Sequence, residues 1–231
     1  MKRSFDPSVL EMMDRPQPVP AELERDLQRL RQLNRWFGSY GLVLRFIRRW
    51  LRLGDELRVV DLATGSGDIP RLIVDYARKI SAKVKIDALD RQPATLEVAK
   101  RLSADYPEIS YREANILQWN SVEAYDIAIC TLALHHFSNE DAVRLLHRCC
   151  QVSRRFVLVS DLRRSFSLVA GVYLLTTLIF REAMTRYDAR LSAIRAFSFS
   201  EMRDLALRAG WENFGHKKFR FARQAIWLET A

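Results

Sequence analysis

A chain of 231 residues, 48% hydrophobic and 28% charged, can bury one sizeable core, and a single domain over 1–231 is expected. Cys130, Cys149 and Cys150 make no disulfide framework and suit buried thiols in a reducing compartment; no metal-ligand spacing joins them to the four histidines, and no metal is expected. The net charge of +9 is compatible with RNA, an anionic lipid surface or an acidic small substrate, and equally with arginines on solvated helix faces.

The amino terminus, Met1-Lys2-Arg3-Ser4-Phe5-Asp6, lacks the apolar segment of a signal peptide, which points to the cytoplasm. Pro7, Pro16, Pro18 and Pro20 make the first 19 residues an irregular arm. Leu23, Leu27, Leu30 and Leu33 recur at three and four, predicting an amphipathic helix over 21–37 that Gly38 ends. Gly41 is placed in the link to a second helix over 42–53, whose apolar positions include Val43, Phe46, Ile47, Trp50 and Leu51. These elements make a helical cap over 1–56.

Val59-Val60-Asp61-Leu62-Ala63-Thr64-Gly65-Ser66-Gly67-Asp68 follows, a buried strand (57–62), an acidic strand end, a tight turn and a helix start (69–80). Without Cβ atoms, Gly65 and Gly67 let the backbone approach a ligand closely. Asp61 repels phosphates and favours a ligand that presents a cation, such as the amino group and sulfonium of S-adenosylmethionine. A dinucleotide fingerprint wants a third glycine near Pro70, and a phosphate-binding loop wants Gly-Lys-Ser/Thr; neither is there. The Asp-x-Ala-x-Gly-x-Gly-Asp pattern resembles the first motif of class I S-adenosylmethionine-dependent methyltransferases, in the version of the ubiquinone/menaquinone biosynthesis type.

Strands and helices alternate beyond the turn: strand 83–89, helix 93–105, strand 109–113, strand 125–131, helix 139–150 and strand 155–160. Alternation of this kind argues a parallel sheet with helices on both faces. Ser198-Phe199-Ser200-Glu201 is a capping box for a helix ending at Gly210, and 211–219 and 224–228 read as a terminal hairpin. The resemblance implies an α/β, Rossmann-like, seven-stranded and mostly parallel sheet over 57–231, its last strand antiparallel. It also implies a helical lid at about 162–197, between the fifth and sixth strands.

The resemblance also assigns residues. Asp61, Ala63, Thr64, Gly65, Ser66 and Gly67 face the cofactor. Asp90, with Arg91, closes the second strand, where a carboxylate accepts ribose hydroxyls; the same residue is also a candidate helix N-cap before Pro93. Asn115-Ile116 stands where the family usually carries an acid against the adenine amino group, and the Asn115 amide oxygen can accept that bond. Thr131 falls near the sulfonium, and Tyr40 over the methionine carboxylate. Cys130 to Phe137 replaces the Asn/Asp-Pro-Pro-aromatic motif of nucleic-acid amino-methyltransferases, so no nucleic acid is expected as partner.

His135-His136 is the sharpest catalytic candidate, because a phenol benefits from a base of near-neutral pKa. Asp161, ending the fifth strand, is placed to orient one imidazole. The alternative is that Leu-His-His-Phe only shapes the cofactor pocket. The uncharged run 166–180 is too short to span a bilayer and is apolar nearly all round, so it is core, or a lid over an alkyl or prenyl chain, or a face for a membrane surface. Arg163, Tyr173 and Arg195 are the substrate-binding candidates beside it, and Arg181 closes the run. Tyr187-Asp188 and Arg195 either bind a head group or pair with each other. The expected activity is methyl transfer from S-adenosylmethionine to a lipophilic phenol or quinol, on oxygen rather than carbon.

Overall fold

The computed structural model describes residues 1–15, 20–119, 124–178 and 182–229. Among the described residues the α-helices and strands run α1 (Pro20–Trp36), α2 (Ser39–Trp50), β1 (Glu56–Leu62), α3 (Asp68–Lys79), β2 (Lys83–Asp90), α4 (Pro93–Leu102), β3 (Ile109–Glu113), β4 (Tyr125–Thr131), α5 (Asn139–Val152), β5 (Ser153–Leu162), α6 (Phe166–Leu178), α7 (Ala183–Arg195), α8 (Phe199–Arg208), β6 (Gly215–Phe219) and β7 (Arg223–Glu229). The sheet order is β3-β2-β1-β4-β5-β7-β6, with β7 antiparallel to both neighbours and every other pairing parallel. This is the seven-stranded, Rossmann-like α/β fold that the motif implied.

Strand alternation divides the core. Val60, Leu62, Ala128 and Cys130 face α5 and α8 in a cluster that holds Leu145, Leu146, Met202 and Trp211. Leu57, Val59, Ile127 and Ile129 face the other way, against Phe46, Ile47 and Trp50 of α2 and Ile73 and Val74 of α3. The amino-terminal helices therefore complete one layer of the sandwich. α1 packs Leu23 and Leu27 on Val98 of α4.

Several boundaries differ from the expected ones, each for a local reason. Gly38 takes the left-handed conformation (φ 79°) and the chain re-enters a helix at once, so Gly41 lies inside α2 rather than in a link. The hairpin strand begins at Gly215 instead of residue 211. Trp211 is drawn into the core, where its Nε1 donates to the Leu146 carbonyl (3.1 Å), and Asn213 turns the chain with φ 51°. α7 has no clear apolar stripe; it falls within the helical lid expected over about 162–197 and packs mainly against α6. The capping box is present: the Ser198 hydroxyl accepts from Glu201 N, and the Glu201 carboxylate accepts from Ser198 N.

The apolar run forms α6 as far as Leu178; its last residues and Arg181 lie outside the described residues, as do Pro16 and Pro18. α6 has two faces. Leu168, Gly171, Val172, Leu175 and Thr176 look inward onto a cavity, while Phe166, Leu174 and Leu178 are 82%, 60% and 71% exposed. No described helix is long and apolar enough to cross a membrane.

The turn after β1 uses its glycines differently. Gly67 (φ 71°) faces the protein: a Cβ there would collide with the Tyr111 hydroxyl, which is tied to Ser103 Oγ (2.7 Å). Gly65 (φ 56°) has nothing within 4 Å of a built Cβ. Gly67→Ala should therefore cost about 2–4 kcal/mol, combining left-handed strain with overpacking, whereas Gly65→Ala costs only the strain, about 1–2 kcal/mol. Urea denaturation of the two variants checks this; equal losses would show that the Tyr111 contact is easily relieved.

Candidate active site

The carboxyl ends of β1, β2, β4 and β5 open onto a cavity of about 760 Å³, roofed by α6, α7 and the amino-terminal arm. The β1 turn enters it through Ala63, Thr64, Gly65 and Ser66. Ala63 (φ 62°) and Leu132 (φ 54°) hold left-handed conformations on its wall, strain of the kind that surrounding structure retains at functional sites.

Asp61 lies beneath this turn, 1% exposed. Its Oδ2 accepts from the Thr64 hydroxyl (2.7 Å), while Oδ1 is buried with no partner. Burial, with added repulsion from Asp68 and Asp90, raises the carboxyl to about 7 against the opposing Thr64 bond. Asp90 accepts from Gly65 N (2.8 Å) and Gln92 N (3.0 Å), so it ties the β1 and β2 turns together and stands on the cavity wall; burial raises its pKa. Each oxygen keeps a further lone pair for a hydroxyl. The N-cap of α4 is Gln92, not Asp90.

Arg91, Asn115, Ile116 and Thr131 also line the cavity. Arg91 pairs with Asp14 of the arm (3.4 Å), and the Asn115 side-chain Oδ1 accepts from Leu117 N (3.1 Å). Tyr40 and Gly67 stand off the wall; burial leads in raising the Tyr40 hydroxyl, which interacts with Asp68 and Arg31.

The histidines sit in the short helical turn Leu134–His136, facing the same space. Asp161 Oδ1 lies 2.7 Å from His135 Nδ1, and Oδ2 accepts from His135 N (2.8 Å). With Nδ1–H donating to Asp161, Nε2 is left as the acceptor. Despite complete burial, Asp161 is held below the usual carboxylate range by His135 and the backbone N–H of Leu162. His136 differs. Burial works against its charge, but Glu11 (3.8 Å from Nε2) and Asp14 (3.0 Å from Nδ1) outweigh that and lift it to about 9. At neutral pH it is an imidazolium between two carboxylates.

Glu11, His135 and His136 place ligand atoms within 4.8 Å of one another, a spacing that could hold a divalent ion although no metal was expected. The carboxylates already serve as hydrogen-bond and charge partners of the two rings. Glu11 and Asp14 could not be found from the sequence, because the arm has no periodicity and reaches the site only through tertiary contacts. Arg3 donates to the carbonyls of His135 (3.1 Å) and Phe137 (2.7 Å), and Asp188 accepts from Met12 N (2.6 Å) and Met13 N (3.1 Å). Arg195 donates to the carbonyls of Asp6 (2.8 Å) and Val9. Asp188 and Arg195 thus hold the arm rather than each other. Burial raises Asp188 to about 7.

Of the three substrate candidates, Arg195 lines the cavity. Tyr173 is 44% exposed and stacks under Arg190 (4.7 Å), and Arg163 lies behind the wall with its N–H on the Ala222 carbonyl (2.7 Å).

Residues 59–155 match the family model described as a methyltransferase domain. Residues 59–155 are thus a methyltransferase domain, set in the fold of the class I, S-adenosylmethionine-dependent methyltransferases. A curated relative, the 2-phytyl-1,4-naphtoquinone methyltransferase of Thermosynechococcus vestitus, is 30% identical over 81 residues, covering 35% of each protein. The chain thus spans about a third of that relative. Among solved structures, human N-acetylserotonin methyltransferase in complex with SAM superposes with a TM-score of 0.63 at 18% identity, over 92% of this chain and 57% of that one. An Aquifex aeolicus SAM-dependent methyltransferase gives 0.62 at 13% identity over 91% and 98%. At these identities the likeness is one of fold.

The residues of this methyltransferase domain fit the cofactor on their own chemistry. Asp61 has an orphaned, buried anionic oxygen, Gly65 leaves open space on the wall, and Asp90 and Asn115 offer acceptors. A cation binds the ionised form of Asp61, which predominates above about pH 7 and is lost below it. Affinity for S-adenosylmethionine should therefore rise between pH 6 and 8, by up to ~10-fold per unit below the pKa, and Asp61→Asn should be weaker and flat. Calorimetric titration at several pH values checks this, and a pH dependence that survives in Asp61→Asn would assign it to another group.

Proposed function

We propose that this protein transfers a methyl group from S-adenosylmethionine to the hydroxyl of a small lipophilic phenol or quinol. One observation carries the reading: a single cavity joins the glycine turn, the His135–Asp161 pair and the apolar inner face of α6. The relative that acts on a phytyl naphthoquinone supports a lipophilic aromatic acceptor, and the O-methyltransferase neighbours support oxygen as the acceptor atom.

When bound, S-adenosylmethionine supplies an electrophilic methyl group on a sulfonium that leaves as a neutral thioether. Asp61 offers its orphaned oxygen to the cationic end, and Asp90 and Asn115 offer acceptors to the nucleoside. Leu168, Val172 and Leu175 exclude water from the acceptor's alkyl portion. His135 takes the hydroxyl proton at Nε2, and Asp161 fixes the tautomer and stabilises the imidazolium that results. His136, protonated below about pH 9, has no lone pair to accept that proton. Alignment of the two reactants supplies much of the remaining rate.

Two measurements test this reading. With alkylphenols of rising chain length, each methylene should add up to ~0.8 kcal/mol, or about fourfold in kcat/KM, until the α6 wall is covered. A flat dependence would remove the lipophilic acceptor. His135→Ala should lower kcat by about 10²–10⁴-fold while leaving S-adenosylmethionine affinity near normal, with Asp161→Asn giving the smaller loss. Near-normal kcat in His135→Ala would show that the acceptor is ionised before it binds.

A further inference from the structure

Arg223 is a buried cation without a partner among the described residues. It opens β7 opposite Leu162, lines the cavity, and is 7% exposed. Its guanidinium makes no hydrogen bond or ion pair with any described residue, and its Nε is buried with no acceptor. Asp161 is the anion whose field it feels, yet that carboxylate is occupied by the His135 ring and by the backbone N–H groups of His135 and Leu162. Desolvation lowers Arg223 to about 10, so it keeps its proton at neutral pH. The other cavity arginines are accounted for differently, Arg91 by Asp14, Arg195 by carbonyls of the arm and Arg31 by the Tyr40 hydroxyl. A buried guanidinium left unpaired is costly, and its planar fork matches a carboxylate or other anionic oxygen.

Its place in the sheet says which ligand it faces. The cofactor's turn follows β1 and Asp90 ends β2, both on one side of β4; Arg223 lies on the other side, beyond β5. The preceding turn is strained to deliver it, with Phe221 (φ 53°) and Ala222 (φ 49°) left-handed and the Ala222 carbonyl held by Arg163 N. Its register partner Leu162 and the preceding Phe221 line the same cavity, as do Ser167 and Leu168 at the start of α6.

We propose that Arg223 receives an anionic oxygen group on the acceptor's ring, a carboxylate or a phenolate, so that the acceptor is an acidic lipophilic phenol rather than a neutral one. This rests on the reading of the cavity as an acceptor site. Next to His135, such a pairing holds the ring by its charged edge while the alkyl portion runs along α6.

Binding is measured in the presence of S-adenosylhomocysteine with three probes of equal chain length: an alkylphenol, its ring-carboxylated counterpart, and a ring-fluorinated analogue ionised at neutral pH. The full-length wild type should bind at least one anionic probe about 10-fold or more tightly than the neutral phenol. Arg223→Met should erase that preference, leaving affinity for the neutral phenol and for S-adenosylhomocysteine in place; Arg223→Lys should retain part of it. Which anionic probe responds separates carboxylate from phenolate. Absence of preference in the wild type, or its persistence in Arg223→Met, overturns the proposal. So does a fall in S-adenosylhomocysteine affinity in Arg223→Met, which would give the guanidinium to the cofactor. Arg223→Met should melt at or above the wild-type temperature, because it removes an unpaired buried charge; a large drop would make Arg223 structural and overturn the proposal too. If the anionic probes bind through Arg223 but none is methylated, the proposed activity fails and this inference stands.

Discussion

The site depends on one buried carboxylate. Asp161, at the end of β5, is 1% exposed and accepts from the His135 ring, the His135 backbone and the Leu162 backbone. Leaving such a charge in the core without donors would cost several kcal/mol, so the turn after β4 must bring His135 to it. That requirement fixes the imidazole's orientation and tautomer before any ligand arrives. Parallel pairing of β4 with β5 brings Thr131 level with Ser160 and so aligns the two strand ends. The catalytic candidate is thus placed by sheet register plus one desolvated charge.

Around that pair the cavity is divided by charge. Asp90 stands on the β1–β2 side with Asp61 buried beneath the β1 turn, the arm contributes Glu11 and Asp14, and on the β7 side Arg223 is a cation without a partner among the described residues. Anionic groups on one side favour a cationic cofactor, and a guanidinium on the other favours an anionic acceptor. His136 belongs to the arm's electrostatics: Glu11 and Asp14 keep it protonated, and the imidazolium in turn helps hold the arm across the mouth. Two adjacent histidines therefore have different chemistry, because Asp161 fixes a tautomer of His135 while Glu11 and Asp14 hold a charge on His136.

The arm also shows why charge counts alone say little about partners. Much of the arginine excess is spent inside the fold. Arg3, Arg164 and Arg195 donate to backbone carbonyls or to Glu201, and Arg71 supports the glycine turn through the Ser66 carbonyl. Surface pairs such as Arg78 with Glu108 and Arg101 with Glu24 absorb more of it, at little gain in stability each.

The sequence by itself determined the sheet, the glycine turn and the His135–Asp161 candidates. Each of these is written locally, as a strand-length apolar run, a glycine where φ must be positive, or a polar residue at a strand end. The capping box of α8 was legible for the same reason, since Ser198 and Glu201, three positions apart, decide it. Tertiary structure decided what has no local signature. Trp211 left its expected strand because its indole is buried in the core, with Nε1 on the Leu146 carbonyl. α7 formed from a sequence without an apolar stripe, by packing on α6. Glu11 and Asp14 lie more than 120 residues from His136, on which they hold a charge, and Arg223 lies some 60 residues from Asp161, so only the folded chain brings them together. Which histidine can accept a proton was therefore a property of desolvated charges converging in space, which no window of sequence contains.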